Sequence, residues 1–428
     1  MEIIVLIIFL ALVLISIPIG VALFLAAFAG FVWFSDVPLM MIGQAMFLKL
    51  DKFSLLCVLF FVLAGSLMTQ GVIARKIVEF AEALVGHFRA GMAIAAIVAC
   101  ALFGGVSGSA VATLAAIGGL MVPAMKNQGA SENFSIGLLT SSSILGIIVP
   151  PSIPMILYCL VTDNSIARFF IAGFIPAIFL VLTLSLYSAY RARKEGVTSE
   201  IKFSGIILWK AFSSGIWALL MPVIIFGGIF SGVFTATEAA VIAAVYAYIV
   251  ELFVYRKLSA RQIIKITIDS GVTIGTLLII TAGSLIMSDY LTFMQIPDQI
   301  TEWVVATFNS KILFLIAVNV MLLALGTFIE IIAGILIMAP ILYPVAVAMG
   351  IDPIHFGMIL IVNLGIGYVT PPVGVNCFLS ATMFKKPSSQ VFKAVMPMIV
   401  VLLLSIVILT YVPSITTFLP DLLLGPLK

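Results

Sequence analysis

Two short stretches of this 428-residue chain hold the residue types that bind a hard cation inside an apolar protein. The first is Gly104-Gly105-Val106-Ser107-Gly108-Ser109, with three glycines and two serines in six positions. Glycine opens backbone carbonyls to approach, and serine adds hydroxyl oxygens; hard cations take oxygen ligands. The second is Gly326-Thr327, whose glycine stands 221 positions after Gly105. Each stretch precedes a proline pair set in a long apolar run: Val149-Pro150-Pro151-Ser152, then Thr370-Pro371-Pro372-Val373, again 221 positions on. A break at membrane depth frees amides and carbonyls that lipid cannot satisfy, so it persists only beside protein or a water-lined cavity. Carbonyls at helix C-terminal ends then face a cation, and amides at N-terminal ends face an anion. The expected cation ligands are Gly104, Ser107 and Ser109 with Gly146, Val149 and Pro151 in one half. Their counterparts are Gly326 and Thr327 with Gly367, Thr370 and Val373 in the other. The competing role for such small residues is close helix packing.

A second polar group lies near the breaks: Ser141, Ser142 and Ser143, then Asn363, which aligns with Ser142, and Asn376. These side chains are expected to hydrogen-bond a substrate's hydroxyls or carboxylate. The alternative is bonding between helices, worth about 0.6 kcal/mol on average in membranes.

The elements that must carry these residues follow from composition. Hydrophobic residues make up 63% of the chain and charged residues 9%. Repeated apolar runs of about 20 residues read as membrane-spanning helices, and alternating strands of a membrane barrel are missing from the pattern. The 221-residue offset also carries Pro123 onto Pro344 and Gly129 onto Gly350, while Ala64-Gly65-Ser66-Leu67-Met68 matches Ala282-Gly283-Ser284-Leu285-Ile286-Met287. The fold class expected is therefore an all-α polytopic membrane protein, an inverted repeat with two re-entrant helical hairpins and two broken helices. Basic clusters at Arg75-Lys76 to Arg89, Arg191 to Lys194, Arg256 to Lys265 and Lys385-Lys386 mark the cytoplasmic side. The stretches 90–126 and 311–349 then form hairpins that enter from opposite faces. Residues 3–34 are too long for one span, about 48 Å as helix, and are expected to divide at Pro18-Ile19-Gly20, matching 207–231 and 237–254, with the amino terminus outside.

Segments 36–52 and 255–266 read as interfacial arms, and 191–203, with Gly196, as the linker between halves. The expected division is scaffold in 1–89, hairpin and broken helix in 90–163, scaffold, linker and arm in 164–266, the second helix, hairpin and broken helix in 267–386, and a scaffold helix in 387–428. The Met1-Glu2 start leads directly into apolar sequence, which reads as a retained membrane helix.

Other polar residues have competing roles. Thr235-x-x-Glu238 fits a capping box at a helix start, which outweighs the alternative of Glu238 as an ion-pathway carboxylate. Glu330 is balanced between an ion-pathway carboxylate and a support for the start of a helix. Asp163, Asn164 and Arg168 read as loop polarity, the alternative being contact with a protein partner. Cys57, Cys100, Cys159 and Cys377 have no paired spacing, and His87 and His355 are too few for a zinc site. Trp33, Trp209, Trp217 and Trp303 sit near segment ends, as interfacial anchors do. A net charge of +3 points to no nucleic-acid partner, and no phosphate-binding Gly-x-x-x-x-Gly-Lys-Ser/Thr loop or nucleophile–base pair marks an ATPase or another enzyme.

The paired hairpins, the two proline breaks and Gly232-Val233-Phe234-Thr235-Ala236-Thr237-Glu238-Ala239-Ala240 resemble the large membrane subunit of tripartite ATP-independent periplasmic (TRAP) transporters. The resemblance covers essentially the whole chain. It implies a sodium-coupled, elevator-type importer of organic acids in a bacterial inner membrane, with Na+ at both cation sites. It also implies two protein partners: a small four-helix membrane subunit, expected as a separate chain, and a periplasmic substrate-binding protein. Moving one charge through 100 mV changes free energy by about 2.3 kcal/mol. Two sodium ions per monoanion would leave one net positive charge to be drawn inward. The serine cluster favours sialic acid over C4-dicarboxylates. A stand-alone sodium–dicarboxylate symporter, an ion channel and, more distantly, an intramembrane hydrolase are the competing readings.

Overall fold

The computed structural model describes residues 2–88, 90–195, 203–307 and 310–426. Arg89 of the first basic cluster and residues 196–202 of the linker, Gly196 included, lie outside the described residues. Among the described residues every regular element is a helix. Eight helices are long and apolar enough to cross a bilayer, and two bent pairs pass the same test.

The first half begins with Glu2–Leu14 and Ile19–Phe34, divided at Pro18 as the pattern requires. Val5 lies against Gly30 and Gly30 against Tyr290. Leu39–Leu50 exposes all but Ile42 to its surroundings or partly so, then turns by 54° into Leu55–Gln70. Ile73–Val85 buries Ile73, Ala74, Ile77, Val78 and Ala81 along one face. The hairpin arms Gly91–Ser107 and Ala110–Asn127 follow, then the broken helix Glu132–Ile148 with Ile153–Thr162, bent by 42°, and finally Ile166–Lys194. The second half repeats the order: Gly205–Phe230, Ala236–Tyr255, Ala260–Phe293, Ile296–Thr307, hairpin arms Lys311–Phe328 and Ile331–Ala348, broken helix Pro353–Gly367 with Val375–Phe384, and Ser388–Tyr411. A last helix, Ser414–Leu424, follows the repeat.

Two expectations need correction here. Residues 255–266 do not form a separate arm. Ser259 and Gln262 make a capping box, and the helix that starts there runs uninterrupted for 34 residues, about 51 Å at about 1.5 Å per residue. Its first-half counterpart is divided by Asp51-Lys52-Phe53-Ser54, and nothing comparable interrupts the second half. Arg168 is not loop polarity. It is buried, donates to the Gly425 carbonyl at 2.7 Å and pairs with Asp421, tying the last helix to the start of Ile166–Lys194. The short helices Ile73–Val85 and Ile296–Thr307 were not anticipated either. Each is amphipathic and precedes a hairpin.

The hairpins enter from opposite ends of the molecule. Ala90, Gly91, Met125 and Gln128 share a pocket with Ala192, and Ser131 donates to Glu195 at 3.0 Å. The base of the first hairpin therefore lies at the C-terminal end of Ile166–Lys194. The base of the second is closed by Lys311 donating to the Gly350 carbonyl at 3.0 Å. Tyr158 donates to Pro353 at 2.7 Å, and His355 meets Thr416 at 2.8 Å. That base thus lies beside the C-terminal helix held by Arg168, at the other end of Ile166–Lys194. A helix of 29 residues, about 43 Å, separates the two. Both return arms end alike: Gly129 (φ 86) and Gly350 (φ 69) stand left-handed, and Ala130 and Ile351 donate back to Met125 and Ala346. Among described lysines and arginines only Lys49, Lys52, Arg168 and Lys311 sit at the second hairpin's end, so the first hairpin opens toward the cytoplasm.

Candidate functional site

The tips of the two hairpins meet. Gly108, Ser109, Ala110 and Val111 from the first, and Glu330, Ile331 and Ile332 from the second, enclose a cavity of about 60 Å³. Ile147, Ile153 and Pro154 from the first broken helix and Tyr368 from the second complete its walls.

Three helix N-termini converge on this space, and each is capped by the residue just before it. Ser109 opens Ala110–Asn127 and accepts from the Ala112 amide at 3.4 Å. Ser152 opens Ile153–Thr162, accepts from Met155 at 3.5 Å and donates to the Ile147 carbonyl at 2.6 Å. Glu330 opens Ile331–Ala348, its Oε2 accepting from Ile332 at 2.8 Å and Ala333 at 3.2 Å. Tyr368 shares the cavity wall with Glu330. The carboxylate that caps the return arm thus also lines the cavity. Positive helix ends facing one cavity favour an anion there.

The glycines chosen from the sequence bring the backbones together. A Cβ on Gly104 would stand 2.8 Å from the Gly146 Cα, and one on Gly146 would stand 2.6 Å from the Ser109 carbonyl. In the second half a Cβ on Gly367 would stand 2.6 Å from the Gly326 Cα. Only glycine permits such contact between a hairpin and its broken helix. Around the first break, Ser107 lies 3.2 Å from Thr113, whose hydroxyl donates to the Ser109 carbonyl at 2.8 Å. The Pro151 carbonyl lies beside Gly108, and Val149 beside Gly105. Around the second, Gly374 donates to the Thr327 carbonyl at 3.1 Å, and Thr370 donates to Ile366 at 2.6 Å. Val373 lies in the segment between the Pro353–Gly367 and Val375–Phe384 helices. Hydroxyl and carbonyl oxygens therefore lie at both tip–break junctions, and oxygen is the ligand type of hard cations. Thr113 and Gly374 were missed. Thr113 lies one turn past the tip, and Gly374 (φ 50) follows the second proline pair.

Of the residues chosen from the sequence, Ser109 lines the cavity itself. The serine and asparagine group lies behind it, fully buried. Asn376 donates to Ser143 at 2.7 Å, and Thr140 donates to Ser380 at 2.8 Å, so the two broken helices are bonded to each other. Asn363 donates to Asn319 at 2.6 Å, farther toward Thr410. The hydroxyls of Ser141 and Ser142 have no hydrogen-bond partner among the described residues. Glu238, by contrast, is a cap: Thr235 and Glu238 bond reciprocally at 2.8 and 3.2 Å. The four cysteines are buried and free.

Comparison with known proteins places this architecture. Residues 6–415 match the family model described as the tripartite ATP-independent periplasmic transporter, DctM component. The chain is 38% identical to the C4-dicarboxylate TRAP transporter large permease protein DctM of Rhodobacter capsulatus, over 96% of this chain and 97% of that protein. It is 34% identical to the sialic acid TRAP transporter large permease protein SiaM of Vibrio cholerae, over 95% and 96%. It is 36% identical to the isethionate TRAP transporter permease protein DctMQ of Oleidesulfovibrio alaskensis, over 94% of this chain and 64% of that longer protein. Among solved structures, the Alcanivorax borkumensis YdaH transporter shares the fold, with a TM-score of 0.65 at 12% identity over 91% of this chain and 90% of that one. These relatives are named as transporter permeases, not enzymes. With its inverted hairpins, its multiple membrane spans and a family match across nearly its whole length, the chain belongs to the DctM component family of TRAP transporters, multi-pass proteins of the bacterial inner membrane.

Proposed function

We propose that the chain carries an organic acid of the C4-dicarboxylate or sialic acid class into the cell with Na+ as the coupled ion. The observation that carries this reading is the cavity where two hairpins from opposite faces meet three helix N-termini. N-terminal amides suit a carboxylate, and the oxygens around Ser107, Ser109 and Pro151, and around Thr327 and Thr370, suit sodium beside it. In this reading the hairpins and broken helices move as one elevator unit. Ile166–Lys194 and Ser388–Tyr411, expected from the sequence in the scaffold, pack directly on the broken helices, and this reading assigns them to the moving unit instead. The remaining helices form the stationary frame on which the small membrane subunit docks, and a periplasmic binding protein delivers the acid. The relatives named for C4-dicarboxylate and for sialic acid support the substrate class.

The test is uptake into proteoliposomes holding this chain and its small subunit, with a panel of labelled organic acids. Uptake of one acid that needs the binding protein and an inward sodium gradient, and grows with negative internal potential, is expected. Uptake of free acid without the binding protein would favour the stand-alone symporter, and uptake indifferent to sodium would overturn the coupling.

A further inference from the structure

A larger cavity, of about 800 Å³, flanks the first hairpin on the cytoplasmic side of its tip. One wall is the return arm, through Ala115, Ala116, Gly119 and Leu120. The opposite wall carries Arg75, Lys76 and Lys257 with Thr69, Gln70 and Gln262. A single carboxylate, Glu79, faces these three bases, bonded to Arg75 at 3.1 Å and Lys76 at 2.8 Å. The cavity is therefore net basic.

Its position relative to the tip cavity makes this charge useful. Val111 lines the tip cavity, while Ala115 and Gly119 line the larger one. Residues 111, 115 and 119 follow one another on a single helix face at four-residue spacing. A stripe of one small branched, one methyl and one hydrogen side chain thus leads from the tip to the basic wall, over about 12 Å. Leu114–Gly118 forms a π-helical turn on the same arm, the type of local widening that recurs at functional sites. Across from it, Glu251 is fully buried and accepts from the Val72 amide at 3.2 Å. It braces the start of Ile73–Val85, the helix that presents Arg75 and Lys76.

We propose that this basic cavity is the cytoplasmic vestibule through which the carboxylate cargo leaves, with Arg75, Lys76 and Lys257 drawing the anion away from the tip. The vestibule rests on the organic-acid reading above. A cavity of net basic charge concentrates anions, and such focusing raises encounter rates by about 10–10³-fold where one sign of charge dominates the wall.

Labelling of the full chain in liposomes tests the charge independently of transport. Ala116→Cys is reacted with a sulfonate-bearing methanethiosulfonate and with its trimethylammonium analogue, against Ser414→Cys at the opposite end. The native cysteines are all buried, which keeps background low. The anionic reagent is expected to be favoured at position 116 by about tenfold over position 414, the low end of such focusing. Arg75→Gln with Lys257→Gln should abolish that preference. Equal rates for both reagents at 116 would overturn the proposal. Millimolar succinate or N-acetylneuraminate should slow the anionic labelling. Slowing by phosphatidylglycerol lipid alone, with neither acid effective, would assign the cavity to a lipid headgroup and overturn the proposal.

Transport supplies the second arm. Ala115→Trp should cut uptake at least tenfold, and the double glutamine variant should lower the maximal rate while leaving the concentration for half-maximal uptake within twofold. Normal uptake in both variants would overturn the vestibule even with the organic-acid reading intact. If the wild type carried no organic acid, that reading would fail first, and the labelling would still report the charge of the cavity.

Discussion

Gly367 and Gly326 approach so closely that a single methyl group would collide with backbone, which cannot move aside as a side chain tip can. Gly367→Ala should therefore lower stability by about 1–3 kcal/mol, the usual cost of overpacking. Gly271→Ala provides the control, because nothing lies within 4 Å of its Cβ direction. It should not destabilise, and removing a helix-interior glycine gains up to about 1 kcal/mol. Thermal melts of the two variants in detergent compare them directly, and equal melting would refute the close-contact reading. The same scale holds the proposed cation ligands. Ser107→Ala and Thr370→Ala each remove one hydroxyl at a tip–break junction, a contact worth about 1 kcal/mol, or about fivefold in affinity. Each should raise the sodium concentration for half-maximal uptake by about that factor. Sodium titration of uptake measures it, and unchanged dependence in both would refute the assignment.

At the scale of elements, local signals read well where chemistry was explicit. Thr235 and Glu238 form the capping box that their spacing specifies, and both proline pairs interrupt their helices. Pro18 ends one apolar stretch and starts the next. What the sequence hid was decided by distant partners. Arg168 looks like an ordinary loop residue because Asp421, its partner, lies 253 positions away. Ile73–Val85 was masked by its own charges, which obscure an apolar face only a neighbouring helix reveals. The arm at 255–266 follows from its charged, amphipathic composition, but no break like Asp51-Lys52-Phe53-Ser54 separates it from the helix that runs on to Phe293. Arg168 also yields a prediction. Asp421→Asn leaves a buried guanidinium without its counter-charge; because Asp421 is 41% exposed, the cost is at the low end for such pairs, about 3 kcal/mol. The last helix should then become protease-sensitive while the hairpins stay protected. Limited proteolysis with mass mapping checks this, and an unchanged digestion pattern would contradict it.

At the scale of the whole molecule, the two halves use one plan in opposite orientations, and Ile166–Lys194 measures the distance between their entrances. The candidate site was legible in part. Ser109 was found because tip composition is local, and the glycine pairs because they repeat at one offset. Glu330 was recognised but not resolved between roles, since only folding brings it and Tyr368 to one cavity. The serine cluster drew attention by polarity alone, and its bonds turn out to join the two broken helices. A cavity closed by tips from opposite faces should open to each face in turn. Val111 stands on its wall, so Val111→Cys in oriented vesicles, challenged with an impermeant thiol reagent, tests this most directly. The account predicts labelling from the cytoplasmic side and from the outer side, each slowed by sodium with the transported acid. Labelling from one side only, indifferent to sodium and acid, would contradict it.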